Sequence, residues 1–282
     1  MDTFGEKERR AYWTAQMEAG HDFMAAAAAY PVAECGEAIG SLTEAAREAG
    51  VEVAFSSTRT ADIWERQYYL RRGLLAPFVA AARAMNRRGW VLKVEDAYRT
   101  REMQAGLSRF PAVFDRVLRS TQWERDGAIP SRELLLRRLS VLIAMRPKTG
   151  THLSGTAMDI SVEKRGSGEA LDRGGPYLEM SAVTPMACPF LSPEARRNRD
   201  AITALLAEHG FVAYPFEFWH YSRGDVYGEM LARTGRPARY GAVDLDPATG
   251  RVSAMADPLA PLNTAEEVER QMAEALRRRE PS

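Results

Sequence analysis

The sequence lacks several features that would assign the chain to a specialised class. Only two cysteines, Cys35 and Cys188, occur among 282 residues. Two scattered cysteines allow one disulfide but do not form a disulfide framework. Lys and Arg together number 38, and so do Asp and Glu, so the chain lacks the basic excess that nucleic-acid-binding proteins usually carry. We therefore expect no nucleic-acid partner.

Long apolar segments are also missing. The first apolar run, residues 23–30, is short and rich in alanine, and a charged, polar stretch precedes it. This pattern does not match a signal peptide. No segment approaches the roughly 20 apolar residues that a membrane span requires. Together these observations predict a cytoplasmic protein in a reducing environment, with no membrane partner.

The helical and extended patterns that are present predict the fold class. Helices are expected over residues 61–88 and 131–145, and strands over residues 51–56, 90–94 and 158–162. The two kinds of element do not alternate regularly. This order favours an α+β domain with a central antiparallel sheet flanked by helices.

The pattern along the chain also predicts a division into three parts. Residues 1–50 form a helical N-terminal extension, and residues 51–235 form the main domain. Residues 236–282 form a C-terminal extension, which contains a turn and a charged helix from about Thr264 to Arg279.

Histidine is scarce, and two of the four histidines stand in unusual company. His152 precedes Asp159 by seven residues with Gly155 between them, and His220 follows Glu217 by three. A catalytic zinc takes three protein ligands and keeps a fourth position for water, which two imidazoles and one carboxylate satisfy. A regular strand would turn residues at such odd spacings to opposite faces. We therefore expect a bend at Gly155 and a loop-to-strand junction before His220.

The remaining histidines and Cys188 have a structural interpretation. His209 lies near the C-terminus of a predicted helix, on its apolar stripe, where a histidine suits both packing and the helix dipole. His21 has no acidic or glycine-rich context. Cys188 is expected to be a buried, unreactive thiol, because the sequence places no base beside it.

Three motifs follow one another along the main domain. They are Asp-Ala-Tyr-Arg at 96–99, Gly-Thr-His-Leu-Ser-Gly-Thr-Ala-Met-Asp at 150–159 and Glu-Phe-Trp-His at 217–220. In content and order they resemble motifs of the zinc D-Ala-D-Ala dipeptidases of the vancomycin-resistance type, apart from the leading serine of the second motif. That family lies within the wider D-Ala-D-Ala carboxypeptidase and Hedgehog-like fold group. The resemblance implies that fold and a zinc peptidase domain over residues 51–235.

The resemblance implies a role for each motif residue. His152, Asp159 and His220 would bind one zinc ion. Glu217 would be the general base, taking a proton from the metal-bound water that attacks the peptide carbonyl and passing it to the leaving amine. Arg99 would stabilise the oxyanion. The chemistry agrees, since zinc lowers the pKa of its water to about 7, a carboxylate shuttles protons and a fixed guanidinium stabilises developing negative charge.

A weaker match concerns substrate binding. Residues 174–181, Gly-Gly-Pro-Tyr-Leu-Glu-Met-Ser, are similar to the family's Gly-Thr-Pro-Phe-Asp-Glu-Met-Ser, whose Asp is expected to receive the substrate's ammonium group. Leu178 stands at that position, between Tyr177 and Glu179, the two candidate substrate-binding residues. Two interpretations stay open. Either Glu179 substitutes, through a rearranged loop or an alignment shifted by one residue, or the enzyme selects less strongly for a free amino terminus.

Taken together, the resemblance implies a zinc metallopeptidase that hydrolyses a small peptide, most simply a D-Ala-D-Ala-type dipeptide. One alternative is a peptidoglycan carboxypeptidase or endopeptidase of the same fold, which the missing signal peptide and wall-binding repeats disfavour. Another alternative is a non-catalytic zinc-binding interaction module. Glu217 and Arg99 argue against that module, because a structural zinc needs neither residue.

Overall fold

A computed structural model of the protein describes residues 4–278. In chain order, the strands of this part are β1 (Ile39–Ser41), β2 (Val53–Phe55), β3 (Tyr69–Arg71), β4 (Trp90–Asp96), β5 (Ala157–Lys164), β6 (Val212–Ala213), β7 (His220–Ser222), β8 (Val243–Leu245) and β9 (Val252–Ala254). The α-helices are α1 (Glu6–Ala29), α2 (Leu42–Ala49), α3 (Arg72–Arg87), α4 (Arg101–Leu107), α5 (Pro111–Glu124), α6 (Arg132–Leu142), α7 (Pro193–Glu208), α8 (Val226–Leu231) and α9 (Ala265–Arg277). Short 3-10 helices cover Pro147–Thr149 and Thr151–Ser154.

A five-stranded sheet forms the centre of the fold, with strand order β2-β4-β5-β7-β6. Its pairs are antiparallel except for β2 and β4, which run parallel. Two small antiparallel pairs, β1 with β3 and β8 with β9, lie outside this sheet. The predicted α+β class, with a central and mainly antiparallel sheet flanked by helices, is therefore confirmed.

One face of the sheet packs against α3 and α7. Met158, Ile160 and Val162 alternate along β5 and are fully or almost fully buried in this core, together with Phe78 of α3 and Ile202 of α7. Burying a side chain of this size stabilises the fold by about 1.5–3 kcal/mol. The alternation turns the intervening residue Asp159 to the opposite face of the sheet.

A second core joins α1 to α5 and α6. Trp13, Met17 and Met24 of α1 are buried in it. Gly20 allows the close approach of α1 to α6, because a Cβ atom there would lie 2.6 Å from Cγ1 of Val141. The first helix thus shares a core with helices of the main domain. The division of the chain into three parts stays a prediction, and positions 1–3 and 279–282 of its extensions lie outside the described residues.

The strands predicted over 51–56, 90–94 and 158–162 are confirmed as β2, β4 and β5. The helix predicted over 61–88 is wrong in its first part, because α3 begins only at Arg72. The residues just before it form β3, which pairs with β1 and contains the buried residues Leu70 and Arg71. Tertiary pairing therefore outweighs the helix propensity of this stretch.

The end of one further helix also differs from prediction. α6 begins after Ser131, whose hydroxyl accepts a hydrogen bond from the amide of Leu134, but it ends at Leu142, three residues early. Ala144 follows with a φ of 58°, a left-handed conformation that an α-helix does not contain. The C-terminal helix is present as α9, and its predicted end at Arg279 lies outside the described residues. None of the helices within residues 4–278 has the length and apolar character needed to cross a bilayer.

Candidate active site

Three neighbouring strands bring Asp96, Asp159 and His220 into one row across the sheet. Asp159 on β5 pairs with Asp96 on β4 and with His220 on β7. The pairing shifts between Val94 and Asp96, so that two residues of β4 face one of β5, as in a β-bulge. Because directly opposed residues point to the same face, all three side chains project away from the α3–α7 core.

His152 joins this row from the 3-10 helix that precedes β5. Gly155 ends this helix with φ 68° and ψ 34°, a left-handed turn that glycine adopts without penalty. The turn brings Nε2 of His152 to 3.2 Å from Oδ1 of Asp159. Nδ1 of His220 lies 3.0 Å from the same oxygen. The bend expected at Gly155 is therefore present, and all three polar side chains are buried.

The other ring nitrogens have partners that fix the orientation of both imidazoles. Nδ1 of His152 lies 2.5 Å from the carbonyl oxygen of Ala97, which can only accept, so Nδ1 is the donor. Nε2 of His220 lies 2.8 Å from the hydroxyl of Thr151, to which it can donate. The nitrogens that face Asp159 then present lone pairs, as metal-binding histidines do. Ala97 and Thr151 lie within two of the three motifs, but no role is predicted for them from sequence because neither residue type is a usual metal ligand.

The spacing of these donors tests whether a metal fits. The ligand atoms of His152, Asp159 and His220 all lie within 4.8 Å of one another. Tetrahedral zinc with bonds of about 2.0–2.1 Å holds its ligand atoms about 3.3 Å apart. The observed separations of 3.2 and 3.0 Å from Oδ1 of Asp159 are close to this value. The three residues could therefore hold a metal ion, and their donor types and these two separations suit zinc.

The electrostatics of the cluster favour its metal-binding protonation states. Burial alone would raise the pKa of Asp159, but His152, His220 and Arg99 together hold it well below its usual range. Burial also lowers the pKa of His220, although the neighbouring carboxylate of Asp159 opposes this shift. An ionised carboxylate and a neutral imidazole are the forms that bind a metal ion.

Arg99 is buried beside the cluster, and three of its nitrogens are engaged. Nε donates to Oδ2 of Asp96 at 3.0 Å, and Nη2 donates to Oδ2 of Asp159 at 2.9 Å. Nη1 donates to Oε1 of Gln104 at 3.2 Å. A guanidinium carries five N–H donors, so donors remain beyond these three, and Arg99 lines the same cavity as the metal site. Sequence analysis missed Gln104, which lies on α4 and has no motif signature.

Glu217 lies in the turn that leads into β7. This turn is closed by a hydrogen bond from the amide of His220 to the carbonyl of Glu217 at 3.3 Å. Oε2 of Glu217 lies 4.0 Å from Nδ1 of His220, which places the carboxyl beside the metal site and outside the three-residue cluster. The loop-to-strand junction is therefore present. Burial, reinforced by Asp159, raises the pKa of Glu217 well above its usual range, although Arg99 opposes the shift.

The loop at 174–181 places its candidate residues differently. The hydroxyl of Tyr177 donates to Oδ2 of Asp159 at 3.0 Å, so this tyrosine supports the metal site. Leu178 lines the cavity, whereas Glu179 is not among its lining residues in the described part of the chain. The side chain of Glu179 lies against Gly175 and borders a separate surface depression. Substrate binding by Tyr177 and Glu179 stays a prediction.

The other singled-out residues lie outside the metal cluster. His209 follows the last residue of α7, and its carbonyl accepts a hydrogen bond from Arg223 at 2.8 Å. His21 lies on α1. Cys188 is fully buried, and burial raises the pKa of its thiol, in agreement with an unreactive cysteine. Cys35 is exposed, and both cysteines are free, so the disulfide that the sequence allowed is not formed.

Comparison with known proteins gives a family match and several partial similarities. The family model for D-Ala-D-Ala dipeptidases (peptidase M15) matches residues 58–234. The D-alanyl-D-alanine dipeptidase of Escherichia coli K12 is 34% identical over 70 residues, which cover 25% of this chain and 36% of that protein. The aligned segment thus spans little more than a third of the relative's length.

Two solved structures are similar at low sequence identity. One is a crystal structure of a variant of the vancomycin-resistance D,D-pentapeptidase VanY in complex with Zn(II), with 15% identity, 62% coverage of this chain, 85% coverage of that chain and a TM-score of 0.36. The other is the LD-carboxypeptidase LdcB, with 16% identity, 67% and 72% coverage, and a TM-score of 0.34. Because the family model matches more than half of the sequence, the chain belongs to the D-Ala-D-Ala dipeptidase family of metallopeptidases.

Proposed function

We propose that the protein is a zinc-dependent peptidase that hydrolyses a small peptide of the D-Ala-D-Ala type. One observation supports this most directly. The lone pairs of His152, Asp159 and His220 converge in a cavity that Glu217 and Arg99 also line. A structural zinc site is closed by four protein ligands and needs no such neighbours. Membership of the dipeptidase family supports the same reaction class.

His152, Asp159 and His220 would hold one zinc ion per chain. When bound, zinc polarises the peptide carbonyl and lowers the pKa of water to about 7. Two neutral imidazoles and one carboxylate leave this site with one net positive charge, which suits the stabilisation of developing negative charge. The hydrogen bonds from Arg99 and Tyr177 to Oδ2 of Asp159 leave its Oδ1 directed at both imidazoles.

Glu217 would move the proton. Its carboxyl is buried beside the metal site, and its raised pKa suits a group that accepts a proton from the attacking water and releases it to the leaving amine. The efficiency of such a shuttle is greatest when its pKa lies near the working pH. The hydroxide oxygen would form the new bond to the carbonyl carbon, and the C–N bond would break as the amine receives the proton from Glu217.

Arg99 would stabilise the oxyanion. Its guanidinium is held on one side by Asp96 and on another by Gln104, so its free donors need little reorganisation when charge develops on the carbonyl oxygen. Preorganised donors of this kind contribute about 2.7–4 kcal/mol of transition-state stabilisation each.

The decisive experiment measures hydrolysis by the zinc-loaded, full-length protein. The substrates would be D-Ala-D-Ala, its N-acetyl form and a longer peptidoglycan stem peptide. Glu217→Ala should keep its zinc and its fold but lose about 10²–10⁴-fold in kcat. Glu169→Ala, which removes an exposed acid outside the cavity, should stay close to wild type. Loss of zinc from Glu217→Ala would make Glu217 a ligand, and a zinc-loaded wild type that cleaves none of these peptides would refute the proposed function.

A further inference from the structure

Two chemically different sets of residues line the cavity beside the candidate metal site. One set is the metal cluster, with Glu217 and Arg99. A second set is apolar and consists of Met24, Leu107, Val113, Leu142, Leu178 and Met180. Asp159 and Glu217 are the carboxyl groups among the described residues that line the cavity. Asp159 already accepts hydrogen bonds from Arg99 and Tyr177, and Glu217 is the proposed proton shuttle. Neither carboxyl group is therefore available to pair with a substrate ammonium.

Leu178 occupies a backbone conformation that leucine disfavours. Its φ is 63°, in the left-handed region that asparagine and aspartate enter several times more often than other non-glycine residues. The loop is held in place by a hydrogen bond from Arg116 to the carbonyl of Leu178 at 3.3 Å and by a turn from Glu179 to Pro176. The backbone alone would therefore favour a polar residue here, whereas this chain has an apolar side chain that lines the cavity and also borders the surface depression beside it.

Met24 belongs to the apolar set and comes from outside the family segment. It lies on α1, ahead of residues 58–234 that the family model matches. Its sulfur lies 3.2 Å from the hydroxyl oxygen of Tyr227. The single hydrogen of that hydroxyl is donated to the carbonyl of Thr149 at 2.6 Å. Tyr227 thus links the methionine to the segment that precedes His152, and the cavity wall includes a side chain from the N-terminal helix.

We infer that the cavity selects a peptide whose amino side is uncharged and apolar, such as an N-acylated D-Ala-D-Ala peptide, over one with a free ammonium group. This inference rests on the proposed function and specifies its substrate class. A substrate carboxylate or oxyanion can pair with the guanidinium of Arg99 in the cavity. An ammonium group placed against Leu178 and Met24 has no free carboxylate with which to pair. An ammonium group buried without a partner is strongly disfavoured.

The first test compares D-Ala-D-Ala with N-acetyl-D-Ala-D-Ala on the zinc-loaded, full-length protein. Wild type should show a kcat/KM at least about tenfold higher for the acetylated peptide, as expected for one uncompensated polar group. Leu178→Asp should lower this preference or reverse it by raising the kcat/KM of the free dipeptide. Leu178→Asn is the matched control, because it has the same shape and backbone tolerance without the charge. Leu178→Asn should lower kcat/KM for the acetylated peptide without raising kcat/KM for the free dipeptide.

The second test measures binding without turnover. Calorimetric titration of zinc-loaded Glu217→Gln with both peptides should give tighter binding of the acetylated form. Adding Met24→Ala should weaken that binding, whereas Met24→Leu should retain it. Wild type that prefers the free dipeptide, with a ratio that Leu178→Asp leaves unchanged, would overturn the inference while leaving the zinc peptidase intact. Failure of Glu217→Gln to bind the acetylated peptide more tightly would overturn it as well, whether or not either peptide is cleaved.

Discussion

The hydroxyl oxygen of Thr151 lies 2.8 Å from Nε2 of His220, on the side of the ring that faces away from Asp159. Thr151 immediately precedes His152, so one short helix supplies a candidate metal ligand and the hydrogen-bond partner of another. In the tautomer that carries its proton on Nε2, His220 donates to this hydroxyl and has its lone pair on Nδ1, where the metal would be. Such partners orient the ligand ring and raise its basicity.

We predict that Thr151→Val lowers zinc affinity about 10–100-fold, because loss of such a partner weakens metal sites by this factor. Valine has nearly the same shape, so the 3-10 helix should persist. Competition with a chelator of known affinity measures the effect. Thr149→Val is the control, since the Thr149 hydroxyl contacts only the carbonyl of Arg146 and should leave the affinity unchanged. Equal affinities for the two variants would show that Thr151 does not support His220.

The ligand assignment itself is tested by metal content. The purified protein should hold about one zinc per chain, and His152→Ala or His220→Ala should lose it. His209→Ala removes an imidazole at the end of α7, away from the cluster, and should keep the zinc. Elemental analysis after dialysis gives the ratio directly. Full zinc retention by both of the first two variants would rule out this ligand set.

Arg99→Lys should lower kcat by about 10²–10³-fold, the usual effect of removing one oxyanion donor, with a much smaller change in KM. A lysine cannot reproduce the planar fork that contacts Asp96, Asp159 and Gln104 at once. The zinc content of the variant must be measured alongside, because Arg99 also contacts Asp159. Arg109→Lys alters an exposed pair and serves as the control. A near-normal kcat in zinc-loaded Arg99→Lys would make Arg99 a structural residue.

The protein should lose stability between pH 10 and pH 12. Burial raises the pKa values of Tyr68, Tyr98 and Tyr240 to about 12, compared with about 10 in an unfolded chain. In this range the folded state binds more protons than the unfolded state, so the free energy of unfolding falls as the pH rises. The stabilisation is complete below pH 10 and is lost as the pH rises through the pKa values that these tyrosines have in the folded state.

Denaturant unfolding at pH 8 and pH 11.5 checks this prediction. Tyr98 donates a hydrogen bond to the carbonyl of Val243 at 2.9 Å, so Tyr98→Phe should be less stable than wild type at pH 8 by about 1 kcal/mol. Between pH 8 and pH 11.5 the free energy of unfolding of Tyr98→Phe should decrease less than that of wild type. The difference can reach about 1.4 kcal/mol per pH unit, the effect of one proton. An unfolding free energy that stays constant from pH 8 to pH 11.5 would contradict the assigned pKa shifts.

The three residues that cluster at the candidate metal site could be selected from sequence because each lies in a short motif of ligand-type residues. The alternation along β5 also places Asp159 on the face opposite Ile160, and the structure shows that arrangement. The bend at Gly155 followed from the odd spacing between His152 and Asp159. These inferences concern residues close together in the chain, where local geometry limits the alternatives.

The remaining parts of the site depend on contacts that no local pattern encodes. Met24 lies in an alanine-rich helix, and its place in the cavity wall follows from the packing of α1 on α6. Ala97 acts through its backbone carbonyl, which every residue type possesses. The stretch before Arg72 has helical propensity but pairs with β1 instead, and such long-range pairing is invisible in a single sequence.

The position of Met24 has a consequence for how such a protein diverges. The proposed reacting groups lie on the sheet and on the segments next to its strands, whereas α1 contributes Met24 to the wall of the same cavity. We therefore expect substitutions along α1 to change which peptide fits while the groups proposed to cleave it keep their geometry. Paralogues that retain the three motifs unchanged would then process different peptides, and the residues that distinguish them would be found in the segment that motif comparison leaves out.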